Sequence, residues 1–198
     1  MLEIRSISTD ADYLEVCQLL VRAQQAEYKK TGVLYNTSNI TASQLTKEMD
    51  MYAGVCFCAY VDGVMAGTLS VFSDNKKKWY SKDDSDKIIK YVGVDPEYQG
   101  KGVASQLVEY AKSNSEYKVL SVSTGEMNRH AIHLYKKNDF ILVDITKGPI
   151  HNAYKLAFWK EGCPISANII RRHLIVSKIK CFIKKVLFRS KANPNQFR

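Results

Sequence analysis

The chain lacks any apolar run close to the about 20 residues that a membrane-spanning helix needs. It also lacks a CxxC pair, and its five cysteines (Cys17, Cys56, Cys58, Cys163, Cys181) are odd in number, which argues against a disulfide framework or a zinc site. The opening "MLEIRSISTDADYLEV" carries early acids and no apolar core segment, so a secretory signal is not expected there and a cytoplasmic location is. Base outweighs acid heavily in the tail: residues 160–198 hold ten Lys and Arg against the single Glu161. Against chain totals of 29 basic and 20 acidic residues, this leaves 19 of each in 1–159, so the net +9 belongs to the tail.

What is present is ample material for a core, with 45% hydrophobic and 25% charged residues. "LEIRSI" reads as a strand. Leu14, Val16, Cys17, Leu19, Leu20 and Ala23 recur at helical spacing up to about Lys29. Thr41 with Gln44 forms a capping box that starts a second helix. "VCFCAYVDGVMAGTLSVF" is a hairpin around Asp62-Gly63, with Cys56 and Cys58 on one face as small core hydrophobes. "SDNKKKWYSKDDSDK" (73–87) is expected to be a solvated loop. The strand "IIKYVGV", the helix "VASQLVEYAKSN", the strand "YKVLSVST", the helix "NRHAIHLYKKN" and the strands "FILVDIT" and "NAYKLAFWK" complete a β-α-α-β-β-β-α-β-α-β-β order. That order predicts an α/β fold with a mixed, mostly antiparallel central sheet flanked by helices.

Gly100 and Gly102 stand where a strand turns into a helix, in "YVGVDPEYQGKGVASQLVEYAK". A helix start offers unpaired N–H groups and a positive dipole end, and glycine lets phosphate oxygens approach them. The pattern is not a P-loop, since no Gly-Lys-Ser/Thr follows four residues after a first glycine, and not a dinucleotide fingerprint, since Ser105 stands where the third glycine would be. Gln99, Gly102 and Ala104, after the strand and "VGVDP", resemble the acetyl-CoA-binding segment of the GNAT N-acetyltransferase superfamily. Asn128, Ala131, Tyr135 and Phe140 match the second half of that family's pattern. Asp139 departs from the glycine usual before the Phe.

The resemblance covers about residues 1–159 in element order, and the chain divides into a GNAT-like acetyltransferase domain over 1–160 and a basic amphipathic extension over 161–198. It implies transfer of an acetyl group from acetyl-CoA to a primary amine, by direct attack in a ternary complex and without a metal. The backbones of Gly100, Lys101, Gly102, Val103 and Ala104 would cradle the pyrophosphate. Main-chain groups of Val92 and Val94 would hold the pantetheine arm, and Asn128 and Ala131 would sit beside it. Tyr135 would be the general acid that protonates the departing thiolate. The base stays open among Glu126, Asp86 and His130; His130 and His133, three apart on one helix, have no companion ligand for a metal. The acceptor pocket is expected from Tyr28, Tyr35, Trp79 and Tyr80, with Asp83, Asp84 and Asp86 attracting a cationic amine. The acceptor is a small-molecule or protein amine.

In the tail, Ile175, Ile179, Phe182 and Val186, joined by Ile169, Val176 and Ile183, form an apolar stripe. Lys178, Lys180, Lys184, Lys185 and Arg189 lie mostly elsewhere, and Arg172 intrudes on the stripe. This basic amphipathic C-terminal helix is expected to pack the stripe on its own sheet or in a homodimer. Peripheral contact with an anionic membrane and contact with nucleic acid are the competing readings. An alternative for the whole chain is a non-catalytic CoA-binding module whose tail docks on a membrane, nucleic acid or partner protein.

Overall fold

The computed structural model describes residues 1–32, 39–76, 78–81, 83–147 and 151–192, with side chains through 183. Chain order is β1 (Leu2–Ile7), α1 (Asp10–Thr31), α2 (Ala42–Met51), β2 (Val55–Val61), β3 (Val64–Ser73), β4 (Lys87–Val94), α3 (Val103–Asn114), β5 (Val119–Gly125), α4 (Arg129–Lys137), β6 (Ile141–Lys147), β7 (Asn152–Trp159) and α5 (Ala167–Ala192). The local chemistry accounts for the boundaries. Thr9 with Asp12 and Thr41 with Gln44 are capping boxes at the starts of α1 and α2. Asp62 and Gly63, both at positive φ, make the β2–β3 hairpin turn.

One seven-stranded sheet runs β1-β2-β3-β4-β5-β7-β6, and every neighbour pair is antiparallel except β4–β5. Alternate residues face opposite sides. Cys56, Cys58, Met65 and Phe72 pack with Leu19, Leu20 and Leu45 under α1 and α2. Phe57, Leu69, Ile89, Leu120 and Val122 pack with Leu107, Val108 and Tyr135 under α3 and α4. Cys56 and Cys58 are buried as expected, both against the Thr68 hydroxyl.

The departures concern the charged connection and the tail. Residues 73–87 are not simply a solvated loop. Lys78 is buried, its Nζ 3.0 Å from Asp74 Oδ2 and 3.3 Å from Asp86 Oδ2. Tyr80 is buried against Trp159, 6.2 Å between ring centroids, and Trp79 stacks on His173 of α5 at 4.1 Å. α5 itself docks on β6. It buries Ile170, Ser177 and Cys181, with Ser177 Oγ donating to Asp144 Oδ1 at 3.0 Å and His173 Nε2 3.2 Å from the same oxygen. The helix face expected to pack on the sheet is therefore not the one that does. Ile169, Ile175, Val176, Ile179, Phe182 and Ile183 are all exposed.

Candidate active site

β4 and β5 pair only from Lys87–Ile89 to Leu120–Val122 and then part. Beyond that point Gly93 and Val94 pair with β3 on one side, at Thr68 and Gly67, and leave the other edge of β4 open. A parallel pair that stops early exposes backbone donors and acceptors that an extended ligand can use. The opening is reinforced by a bulge: the β3–β4 register skips between Thr68 and Ser70, and Tyr91 adopts a left-handed φ of 53°.

At the mouth of this split lies a cavity of about 470 Å³. Its far wall is the turn into α3, where Gly100 (φ 76°) and Gly102 (φ 82°) are both left-handed. Gly102 caps α3 with no side-chain hydrogen bond, so the first N–H groups of the helix lack a side-chain partner at the cavity wall. A Cβ on Gly100 would meet nothing within 4 Å, and one on Gly102 only Gln106 Nε2 at 4.0 Å. The protein's own packing therefore does not fill the space that the glycines leave. Free N–H groups, a positive helix end and open room beside them suit a phosphate.

Val92, Val94, Gln99, Gly100, Gly102, Val103, Ala104, Asn128 and Ala131 all line this cavity, so two sequence segments about 30 residues apart converge on it. Two of these side chains also have structural tasks. Gln99 bridges elements: its Oε1 accepts from Lys30 Nζ at 2.9 Å and its Nε2 donates to the Val94 carbonyl at 3.2 Å. Asn128 caps α4, its Oδ1 accepting from the Ala131 N–H at 3.0 Å. Lys101 does not line the cavity; it is exposed, with Nζ 5.2 Å from the Tyr98 ring centroid. Tyr135 is also not a lining residue. It is buried with its ring 5.4 Å from Phe140, and burial pushes its pKa above the ordinary tyrosine range.

Of the expected bases, only His130 lines the cavity. Glu126 clamps β7, accepting from the backbone N–H of Asn152 at 3.1 Å and from its Nδ2 at 2.9 Å. Asp86 belongs to the buried group around Lys78. The expected acceptor-pocket side chains are mostly elsewhere too. Trp79, Tyr80, Asp83, Asp84 and Asp86 sit at the start of β4, and the cavity lies at its end, roughly 20–25 Å away along the strand. Asp83 accepts from the Ser85 hydroxyl and backbone N–H, which with Lys118 at 3.4 Å hold its carboxyl below the usual range. Tyr28 is exposed outside the lining, and Tyr35 falls outside the described residues.

In their place α1 supplies a wall of Leu20, Ala23, Gln24, Glu27 and Lys30; the last two lie in the segment 26–39 that the resemblance assigned to the acceptor pocket, but none of the five was singled out for it. Glu27 Oε1 is buried without a hydrogen-bond partner. The only sequence signal was the spacing Leu20, Ala23, Glu27, Lys30, one stripe of a helix that also carries its core face.

The acetyltransferase (GNAT) family model matches residues 15–140, and the chain belongs to that family. Solved structures share its fold at low identity. An acetyltransferase of the GNAT family from Streptococcus agalactiae aligns with a TM-score of 0.66 at 15% identity, covering 81% of this chain and 96% of the other. The ribosomal-protein-S18-alanine N-acetyltransferase of Escherichia coli aligns at 0.63 and 17% identity, covering 84% and 97%. The yncA protein of Salmonella typhimurium, solved with its cofactor acetyl-CoA, aligns at 0.62 and 16% identity, covering 84% and 98%. Among curated proteins no significant relative was found.

Proposed function

We propose that this protein transfers an acetyl group from acetyl-CoA to a primary amine, by direct attack of the amine on the thioester. The observation that carries the reading is the cavity where the uncapped, glycine-opened start of α3 meets the unpaired edge of β4. The pyrophosphate would lie on the N–H groups from Gly102 to Ser105, with Lys30 near enough to add a positive charge. The pantetheine arm would run along Val92–Val94 as an added strand, which aims the thioester into the split between β4 and β5.

Two proton transfers complete the reaction. The amine must lose a proton to attack, and the thiolate must gain one to leave. Tyr135 is the acid in this reading: it follows the cavity-lining Ala131 by one helical turn, and a phenol carries its proton at neutral pH. Glu27 is the base, as a carboxylate on the cavity wall with one buried oxygen left unpartnered.

A CoA-release screen over small amines, polyamines, aminosugars and peptide N-termini tests the reading. Turnover on one acceptor class is expected, with Tyr135→Phe and Glu27→Gln each lowering kcat while acetyl-CoA binding is kept. Acetyl-CoA binding with no CoA release from any class would instead favour a non-catalytic CoA-binding module.

A further inference from the structure

We propose that the outward face of α5 is a docking surface for an anionic phospholipid bilayer, with the helix lying flat in the headgroup region. At about 100° per residue, Ile175, Ile179, Phe182 and Ile183 fall within about 100° of one another. All four are exposed, from 49% for Ile183 to 69% for Phe182. The opposite side of the same helix carries Ile170, Ser177 and Cys181, which are buried on the domain. Docking on β6 has thus used one side of α5 and turned a second apolar side to solvent. An exposed aliphatic face on a helix already anchored by its other side has no role in holding this domain together.

Charge selects the occupant. Arg171 and Lys178 flank the face on one side and Lys180 on the other, about 80–100° from Ile179. They are exposed, as is Arg172 within the face, and among the described residues none of the four makes an ion pair. The α5 segment contains no acid at all. An aliphatic strip between rows of unpaired cations matches a layer of acyl chains beneath anionic headgroups. A second copy of the chain fits less well, because pairing two such faces sets basic flank against basic flank with no carboxylate to intervene. Nucleic acid would take up the cations, but its stacked bases call for rings, and Phe182 is the single aromatic on the described part of this face. Among the described residues no helix is long and apolar enough to cross a membrane, which leaves the flat orientation.

The test is co-sedimentation of the full chain with vesicles of phosphatidylcholine alone and with about a third phosphatidylserine, at about 0.1 M salt. Pelleting is expected only with the anionic vesicles and should weaken as salt rises. Ile179→Asp with Phe182→Asp should lower the partition coefficient about 100-fold or more, since two apolar side chains leave the bilayer. Lys178→Gln with Lys180→Gln should lower it about 25-fold, at about five-fold per cation. All four side chains are exposed, so melting temperature and acetyl-CoA binding should not change; the lysine pair keeps the test open should the aspartate pair fail to fold. Equal pelleting with and without phosphatidylserine overturns the proposal, as does binding that survives the aspartate pair. So does a concentration-dependent dimer, abolished by the aspartate pair, in a protein that binds no vesicles.

Discussion

Replacing Gly102 by alanine separates what the glycine does for the protein from what it does for a ligand. Gly102 sits at φ 82°, ψ 2°, where an L side chain costs roughly 1–2 kcal/mol. Part of that cost is offset because alanine also restricts the unfolded chain, by about 0.4–1 kcal/mol. The added Cβ meets only Gln106 Nε2 at 4.0 Å, so no steric clash adds to the strain. The expected loss of stability is therefore about 1 kcal/mol, or about 2–4 °C in melting temperature for a chain of this size. Acetyl-CoA affinity should fall much further. A methyl group in the room beside the α3 N–H groups pushes a phosphate out of reach, and each charge-assisted hydrogen bond contributes about 1.5–3 kcal/mol, or roughly 10–150-fold. Gly63 is a matched control: its φ is 83°, a Cβ there meets nothing within 4 Å, and it lies in the β2–β3 turn away from the cavity. Calorimetric titration with acetyl-CoA and thermal melts of both variants decide the matter. Gly63→Ala should match the loss of stability and leave the affinity alone. Equal affinity in the two variants would refute the cradle.

Three further outcomes follow from the packing. Asp139→Gly should change stability by less than about 1 kcal/mol in urea unfolding, because aspartate tolerates its left-handed φ of 67°, glycine frees the unfolded chain by about 0.4–1 kcal/mol, and the Lys112 partner 3.7 Å from an exposed carboxylate adds little; a shift of about 2 kcal/mol either way would contradict it. Lys78→Met strands two buried carboxylates, Asp74 and Asp86, and should cost about 3–5 kcal/mol in the same assay. Alkaline stability should fall because burial raises Tyr80, Tyr91 and Tyr135 above the ordinary range and Tyr117 to about 12. In the unfolded chain these phenols ionise near pH 10, so stability is full below that pH and is lost as pH rises through the folded values. Tyr117→Phe should shallow the decline between about pH 10 and about 12, at the loss of its hydrogen bond to the Lys112 carbonyl.

The donor half of the candidate site was readable because its determinants are local. Gly100, Gly102 and the start of α3 are consecutive in the chain, and backbone geometry at a strand-to-helix turn depends on the residues of that turn. The Thr41 capping box and the Asp62-Gly63 hairpin were readable for the same reason. Asp139 belongs with them: as a residue that tolerates positive φ, it adopts the left-handed conformation a glycine would have taken.

What the sequence left undecided depends on contacts between distant segments. A run such as "SDNKKKWYSKDD" reads as solvated because charged side chains usually are. The burial of the Lys78 and Tyr80 side chains within it follows from α5 closing over β6 some 90 residues later and from Lys78 finding Asp74 and Asp86 together. The cavity wall from Gln24, Glu27 and Lys30 depends on α1 crossing β4 where Gly93 lets Leu20 approach, 2.9 Å from where a Cβ would be. The tail shows the division most plainly. The sequence determined by itself that the tail forms a basic helix with an apolar stripe, because helical period and composition are properties of one segment. Only the tertiary structure decided which side meets the domain. Asp144, β6 and the Trp79 ring select the side bearing Ile170, His173 and Ser177 by hydrogen bonding and shape, and the more apolar side is left facing out.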